Sequence, residues 1–374
     1  MKIAIDGRVL MNPPTGIANV LINALNELSR QKPAWSFYVL TNRDINKQCL
    51  KRINKTENLY TIKRAFTDIG VLWYCTRLYF MLKELSPDYF WAPTGLLPPK
   101  VPKGVRTLLT IHDMVAKDYR ETMSLVGRLY NILYFAKSIC NADILWSNSE
   151  YTRKEIELRY DDRKIKDVFV GCGVDRTIFK KIYLDVDEKQ SILNKYNLNC
   201  KFILFVGTVE PRKNVSFLLS LIPKLSQKGF TCLIVGAKGW GDRKGINKIF
   251  ESADFPKSKV IFSGFVDTCE LIKLYNMASV YVSTSLNEGF GLPQLEAMNC
   301  GCPVVSAHNS AMIEVVEGAG RTVEGWNIDE WIETIEEVFE NRNEYIRLGY
   351  LRAEKYCWTK TMSDLSKVIE AKCT

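Results

Sequence analysis

Two glutamates with a glycine-rich turn between them are the residues of this chain whose spacing points most directly to chemistry. Glu288 and Glu296 are eight positions apart, and the turn Gly289–Pro293 lies between them. A turn that leads into a helix presents backbone N–H groups, which attract anions and phosphates above all. Carboxylates beside a phosphate site suit hydroxyl groups, such as those of sugars and riboses. The segment therefore predicts a nucleotide-sugar site.

The elements that position the two glutamates follow from the same segment. The run Ser279–Ser283 has the composition of a buried strand. Pro293 suits the first turn of a helix, where its missing N–H is not needed, and Gly301 followed by Pro303 suits the helix end. The predicted order is strand, glycine turn and helix.

The run EGFGLPQLEAMNCGCPV, which begins at Glu288, resembles the signature of family 4 retaining glycosyltransferases, whose fold is GT-B. The resemblance implies that Glu288 contacts the donor sugar and that Glu296 holds the ribose. It also implies that the backbone between them meets the donor diphosphate, through Gly289, Phe290, Gly291 and Leu292. A pair of glutamates on an ordinary exposed helix is the alternative, and the match over the whole run disfavours it.

Two adjacent cations form a second part of the predicted site. Arg212 and Lys213 lie in the run FVGTVEPRKN, on a short loop that follows a predicted strand. Such a pair can neutralise a diphosphate, although most charged pairs are simply solvated. The run resembles the family segment VGxxEPRKN. The resemblance implies that both cations grip the diphosphate and stabilise the leaving group, with Gly207 at the donor.

Four further residues are predicted to complete the site. The run TLLTIHD ends a strand in His112 and Asp113. By resemblance His112 lies near the donor sugar, where a neutral imidazole can donate to a hydroxyl, and Asp113 orients it or contacts the acceptor. Lys238, in the loop LIVGAKGW, is the counterpart of a residue near the nucleotide. Gly16 is placed on the acceptor side, although this chain has GIAN where the family has GIGRY.

Short apolar strands alternate with amphipathic helices along the chain, which predicts parallel α/β sheets. The resemblance implies a GT-B fold, in which two Rossmann-like, doubly wound domains face each other across a cleft. We predict that residues 1–183 bind the acceptor, residues 190–355 bind the nucleotide sugar, and residues 356–374 form a helix that crosses back. The strands predicted are Ile3–Ile5, Ser36–Leu40, Thr107–Ile111, Ile144–Ser147, Phe202–Val206, Cys232–Val235 and Val260–Phe262.

The net charge of +9 is concentrated in the first half of the chain. Residues 1–180 hold 28 basic and 18 acidic residues, whereas residues 181–374 hold 23 and 24. This imbalance suggests an anionic partner: a membrane surface, a nucleic acid or a phosphorylated acceptor. Apolar, aromatic and basic residues also share the stretches Ile69–Leu85 and Arg120–Lys137. Such stripes can lie in a membrane interface, but they are also common in packed cores with extended cations.

The sequence predicts neither a membrane-spanning helix nor a metal site. No apolar run reaches the roughly 18 residues that a span requires, and MKIAIDGRVL begins directly with a strand. We expect a cytoplasmic protein, free or peripheral on the inner face of the cell membrane. Eleven cysteines without C-x-x-C spacing indicate reduced thiols. Asp185 and Asp187 form a D-x-D in a polar linker, which we interpret as chance, and we predict no cofactor.

The predicted reaction is transfer of a hexose from a nucleoside-diphosphate sugar to an acceptor hydroxyl, with retention of configuration. By resemblance to enzymes of bacterial surface polysaccharide synthesis, GDP-mannose is the first donor, with dTDP-rhamnose or a UDP-hexose as alternatives. The acceptor is a saccharide, free or linked to a polyprenyl diphosphate. Two other hypotheses are a nucleotide-sugar 2-epimerase, which two histidines disfavour, and a basic nucleic-acid-binding protein. The glutamates would repel a polyanion, so nucleic acid is not a predicted partner.

Overall fold

A computed structural model describes residues 1–65, 67, 69–114, 134–160, 167–237 and 243–372 of the chain. The chain forms two compact units, one of Met1–Gly173 with Trp358–Thr374 and one of Val174–Cys357. The polar stretch Lys181–Ser191, predicted as the break between the two domains, lies inside the second unit and contains the start of a helix. Asp185 caps that helix in a capping box with Glu188, which gives this D-x-D a structural role.

The first unit is built on a seven-stranded parallel sheet of order β3-β2-β1-β4-β5-β6-β7. Its strands are β1 (Lys2–Asp6), β2 (Ser36–Thr41), β3 (Leu59–Lys63), β4 (Tyr89–Ala92), β5 (Arg106–Ile111), β6 (Ile144–Ser147) and β7 (Val168–Val170). Its helices are α1 (Gly16–Gln31), α2 (Lys47–Arg52), α3 (Gly70–Cys75), α4 (Arg77–Leu85) and α5 (Glu150–Arg159), and residues 134–141 are also helical. The central strands β4 and β6 are buried along their whole length, as expected of a sheet covered on both faces.

The second unit is built on a six-stranded parallel sheet of order β10-β9-β8-β11-β12-β13. Its strands are β8 (Phe202–Val206), β9 (Thr231–Val235), β10 (Val260–Gly264), β11 (Val280–Ser283), β12 (Val304–Ala307) and β13 (Arg321–Val323). Its helices are α6 (Val186–Lys195), α7 (Val215–Gln227), α8 (Arg243–Glu251), α9 (Thr268–Met277), α10 (Leu292–Asn299), α11 (Ser310–Val316), α12 (Ile328–Glu340) and α13 (Arg342–Glu354). The order reverses between β8 and β11, the point at which ligands bind in doubly wound sheets.

The last helix, α14 (Trp358–Ala371), packs on the first unit. Gln31 Nε2 at the end of α1 donates to Thr359 O at 2.8 Å. Lys32 Nζ pairs with Glu370 Oε1 at 2.6 Å, and Tyr89 Oη donates to Ile369 O at 3.2 Å. The carboxyl-terminal helix is therefore an integral layer of the first unit.

All eight strands predicted from sequence, Ser279–Ser283 included, are confirmed, each within a residue or two of its predicted limits. The apolar stripe Ile69–Leu85 is not one helix, because the backbone breaks at Thr76 (φ −124°, ψ −67°) between α3 and α4. Most of the second stripe, Arg120–Lys137, lies outside the described residues. Among the helices that the structure describes, none combines the length and apolarity that crossing a bilayer requires.

Candidate functional site

Close backbone packing brings together the carboxyl ends of β8, β9 and β10. Gly207 N–H donates to Val235 O, and Gly236 N–H donates to Gly264 O, each at 2.9 Å. A Cβ on Gly236, whose φ is +150°, would stand 2.0 Å from Gly207 O, so this position tolerates only glycine. A Cβ on Gly207 would meet Lys213 Cε at 3.3 Å. The absence of side chains here lets the loop after β8 lie directly against the neighbouring strand end.

The loop after β8 forms a short 3₁₀ turn, Pro211–Lys213, before α7 begins. Asn214 takes a left-handed conformation (φ 49°) at the junction. Thr284 Oγ1, just after β11, lies 3.1 Å from both Lys213 O and Asn214 O, to which it donates. One hydroxyl thus ties the β8 loop to the β11 loop, where Glu288 lies.

Glu288 is bound by both predicted cations. Arg212 Nη1 lies 2.9 Å from Glu288 Oε2, and Lys213 Nζ contacts Oε1. Ser285 Oγ donates to the same Oε1 at 2.6 Å. Arg212 also donates to Asn287 O at 2.7 Å, so a backbone contact holds its guanidinium independently of the carboxylate.

The charge state of Glu288 follows from these contacts. Burial by itself would raise the pKa of Glu288, but Lys213 and Arg212 lower it, helped by hydrogen bonds from Lys213 and Ser285. The net effect brings the pKa to about 2. The carboxylate is therefore ionised at neutral pH, and it partly neutralises two cations that a diphosphate could otherwise engage.

A loop after β12 holds the Glu288 backbone. Glu288 N–H donates to Ser310 Oγ at 2.9 Å, and Ala311 N–H donates to Glu288 O at 3.3 Å. Asn309 Nδ2 donates to Ser285 O at 3.1 Å, while Ser310 Oγ lies 2.9 Å from Asn309 Oδ1. Ser310 has a left-handed φ of 50°, a strained conformation for a residue with a side chain. We call Asn309–Ala311 the clasp, because it fixes the segment that carries Glu288.

The glycine turn and α10 form as predicted. Gly291 has a φ of +119°, and Pro293 lies in the first turn of α10. The helix ends at Asn299, after which Gly301 takes a φ of +78° and its N–H donates to Met298 O at 3.0 Å. The Phe290 ring packs edge-on against Tyr356, with 5.4 Å between ring centroids. Its side chain is thus used for packing within the second unit.

Glu296 lies on α10, and 8% of the residue is exposed. Its Oε2 accepts a hydrogen bond from Tyr275 Oη at 3.1 Å. Burial raises the pKa of Tyr281 well above its ordinary value, and Glu288 and Glu296 both add to that shift. Both carboxylates therefore act on one buried phenol of β11. The structure brings Arg212, Lys213 and Glu288 into direct contact, and Glu296 lies on the helix that follows the same turn.

His112 and Asp113 follow β5 in the first unit, as predicted. His112 Nε2 lies 2.7 Å from Pro93 O, and Asn148 Nδ2 lies 2.8 Å from His112 Nδ1. Burial lowers the pKa of His112, and the opposing effects of the Pro93 hydrogen bond and of Asp113 do not cancel it. Both ring nitrogens are engaged within the unit, so a sugar hydroxyl would compete with Pro93 or Asn148 for either of them.

The remaining predicted positions are less informative. Gly16 is the first residue of α1, and a Cβ there would meet nothing within 4 Å, so packing does not explain the glycine. Lys238 lies outside the described residues. Within the described ranges, no group of three or more histidine, cysteine, aspartate or glutamate side chains is arranged to hold a metal ion.

Sequence reasoning missed the residues that hold the site together: Ser285, Asn309, Ser310, Tyr275 and Asn148. Ser285 lies inside the motif, but its spacing does not predict the hydrogen bond to Glu288. His112, the first residue after β5, was predicted as a site residue, whereas Asn148, the first residue after β6, was not. The clasp follows β12 in the same way. A systematic search of the first polar residues after every predicted strand would have found all three loops.

Comparison with known proteins gives a family match within the second unit. The model of the family described as "Glycosyl transferases group 1" matches residues 187–354. Serotype-specific mannosyltransferase WbdA of Escherichia coli is 32% identical over 181 residues, which cover 47% of this chain and 22% of that protein. O-antigen chain mannosyltransferase B of Escherichia coli is 28% identical over 254 residues, which cover 66% of this chain and 64% of the relative. The chain thus spans about a fifth of the length of the first relative that it matches.

Two solved structures share the fold over nearly the whole chain. Sucrose-phosphate synthase from Thermosynechococcus elongatus aligns with a TM-score of 0.75 and 16% identity, covering 99% of this chain and 98% of that one. HepE from Anabaena, solved in complex with UDP-glucose, aligns with a TM-score of 0.73 and 16% identity, covering 99% and 100%. At this identity the likeness shows the fold alone, and it confirms the predicted GT-B class.

Proposed function

We propose that the protein transfers a hexose from a nucleoside-diphosphate sugar to a saccharide, because residues 187–354 match the model of the family described as "Glycosyl transferases group 1". The observation that carries this proposal is the contact of Glu288 with both Arg212 and Lys213, next to the turn that starts α10. A carboxylate held between two cations marks a place where a second anion, the donor diphosphate, can be bound.

In the proposed reaction the bond between the anomeric carbon and the β-phosphate oxygen breaks, and the acceptor oxygen bonds to the same face of the sugar. The departing β-phosphate takes the proton of the acceptor hydroxyl, so no other base is needed. Arg212 and Lys213 stabilise the charge that develops on the diphosphate, together with the backbone of Gly289–Leu292. Glu288, released from the cations by the incoming phosphate, binds a hydroxyl of the sugar, and Glu296 binds the ribose.

We propose GDP-mannose as the donor and a growing surface polysaccharide as the acceptor, free or carried on a polyprenyl diphosphate. Similarity to two O-antigen mannosyltransferases supports this choice. Transfer of rhamnose from dTDP-rhamnose or of glucose from UDP-glucose is the alternative. The latter draws support from the shared fold of HepE, which was solved with UDP-glucose.

The donor can be identified by thermal denaturation with GDP-mannose, dTDP-rhamnose and UDP-glucose in turn. A ligand that binds the native state raises the midpoint by mass action, so we expect the largest rise with GDP-mannose. Arg212→Gln should abolish that rise, whereas Lys224→Gln, at an exposed ion pair of α7, should preserve it. A rise with none of the three donors would contradict the proposed function. Conversion of the donor sugar into its epimer without any acceptor would establish the epimerase instead.

We propose in addition that the first unit docks on an anionic lipid surface of the cytoplasmic membrane. Ile69, just before α3, Leu72 of α3 and Phe80 of α4 are exposed. Lys83 and Lys103 line a cavity of about 590 Å³ together with Tyr79 and Leu82 of α4. Apolar side chains beside cations suit a membrane interface, and the excess of positive charge in residues 1–180 supports attraction to anionic lipid.

Sedimentation with vesicles tests the membrane proposal. Vesicles that contain phosphatidylglycerol should bind the protein, and phosphatidylcholine vesicles or high salt should release it. The double variant Leu72→Ser with Phe80→Ser should stay in solution. Tyr183→Ser, at an exposed aromatic residue of the second unit, should bind as the unaltered protein does. Equal sedimentation of both variants, or none with either lipid, would remove the proposal.

A further inference from the structure

His112 is held by two groups at the carboxyl edge of the first sheet. Pro93 follows β4, His112 follows β5 and Asn148 follows β6. The distances are 2.7 Å from Pro93 O to Nε2 and 2.8 Å from Asn148 Nδ2 to Nδ1. Neighbouring strands therefore hold the imidazole from both sides.

The chemistry of these partners decides where the ring proton lies. Pro93 O is a carbonyl and can only accept, so Nε2 must carry hydrogen. In a neutral ring Nδ1 is then an acceptor, which requires the amide nitrogen of Asn148 to face it. The lowered pKa of His112 agrees with a neutral ring at physiological pH.

The other end of the Asn148 amide makes this orientation costly, and that cost links the amide to the charge of the ring. Asn148 is 5% exposed, and among the described residues its buried Oδ1 finds no hydrogen-bond partner. A buried acceptor without a partner is costly, and turning the amide would let Oδ1 accept from a protonated Nδ1. The observed orientation is the one that suits an unprotonated Nδ1.

We propose that Asn148 is a positioning residue, which keeps Nδ1 of His112 unprotonated and fixes the plane of the ring, while Pro93 O holds the hydrogen on Nε2. The sugar-facing role of His112 is the one that the resemblance to family 4 glycosyltransferases implies and rests on the proposed function, whereas the protonation of the ring depends on neither. In this arrangement the carboxyl edge of the first sheet holds an uncharged imidazole. Protonation of His112 would require the Asn148 amide to rotate, so the charge of the ring and the position of one buried amide change together.

Nitrogen NMR of the imidazole rings tests the tautomer directly, without substrate. His112 and His308 are the two histidines of the chain, so a ¹⁵N-histidine-labelled sample gives two ring systems, and His308→Gln assigns them. At neutral pH we expect His112 to show a protonated Nε2 and an unprotonated Nδ1. A protonated Nδ1, or a fully protonated ring, in the unaltered protein would overturn the proposal, and that result requires no variant to fold.

Variants separate positioning from general structural support. Asn148→Ala keeps the Pro93 contact at Nε2 but leaves Nδ1 without its donor, so it should raise the midpoint of the His112 titration and lower kcat for sugar transfer by roughly tenfold, with little change in the KM of the donor. Asn148→Asp should give protonation of both nitrogens and raise the midpoint of the His112 titration. Asp113 is the charged group that acts on His112 from its own loop, so the titration is repeated with Asp113→Asn.

A matched control exists in the same unit. Asn42 is also buried, its Nδ2 donates to Thr67 O at 2.9 Å, and its Oδ1 likewise has no partner among the described residues. Asn42→Ala should leave the His112 titration unchanged, whatever it does to stability. A His112 titration that Asn148→Ala and Asn42→Ala alter equally, or not at all, would refute the positioning role. Absence of sugar transfer from every donor, with the expected spectra, would instead remove the proposed function alone.

Discussion

Replacing Glu288 by glutamine should destabilise the protein in a way that depends on pH. The amide keeps the shape of the side chain and removes its charge, which leaves Arg212 and Lys213 next to each other without their shared anion. The Glu288 side chain is 12% exposed, so solvent screens these interactions little. The pKa of Glu288 falls from the ordinary 4.5 to about 2. At about 1.4 kcal/mol for each pKa unit, the replacement should lower the free energy of unfolding by roughly 3 kcal/mol at neutral pH.

The sign of the pH dependence follows from the direction of the shift. A carboxyl whose pKa is lower in the folded state stabilises the fold above its unfolded pKa, and that stabilisation is lost as pH falls through the folded pKa. The difference between the unaltered protein and Glu288→Gln should therefore be constant above about pH 5 and shrink steadily below it. Taking the difference between the two proteins removes the contribution of all other carboxyl groups.

Urea denaturation followed by tryptophan fluorescence at several pH values measures this difference. Glu84→Gln is the control, since Glu84 pairs with Arg64 on the surface and its removal should change stability little. A loss below about 1 kcal/mol at neutral pH, or a loss of equal size at every pH, would show that Arg212 and Lys213 do not lower the pKa of Glu288 as described.

Three further predictions concern packing, the clasp and metal ions. Gly236→Ala should cost roughly 3 kcal/mol in urea denaturation, because its Cβ would collide with Gly207 O. Gly229→Ala, at a φ of +83° in open space, should cost only about 1 kcal/mol, and equal losses would show that conformation rather than the collision matters. Ser310→Gly and Ser310→Ala both remove the acceptor for Glu288 N–H and should lower kcat alike, while the alanine variant, which keeps the left-handed strain, is less stable by about 1 kcal/mol. Equal stability would mean that the strain is small. Sugar transfer should continue at full rate in EDTA, because we assign charge stabilisation to Arg212 and Lys213, and loss of activity that Mg²⁺ restores would contradict this assignment.

The parts of the molecule with a local sequence signal were predictable. Strands buried on both faces are short apolar runs in the sequence. The turn and the two ends of α10 are indicated by Gly291, Pro293 and Gly301. The charges of Arg212 and Lys213 were also predictable as a pair.

What could not be predicted depends on pairing between distant segments. The contacts of Glu288 with Arg212 and Lys213 span 75 or 76 positions, and those of the clasp about 22. Sequence spacing does not predict that the Glu288 carboxylate pairs with Arg212 and Lys213, the two cations expected to bind the diphosphate. For the same reason the sequence did not predict the contact of His112 with Asn148, which lies 36 residues away, directly after the neighbouring strand.

Helix α14 has a consequence for the order in which the protein can fold during synthesis. It belongs to the first unit but follows the second unit in the chain. Gln31, Lys32 and Tyr89 gain their partners in α14 only after the second unit has been made. The second unit can thus close as soon as its own segment has left the ribosome, whereas the first waits with one face uncovered. The first unit is thus the first to be synthesised and the last to complete its folding.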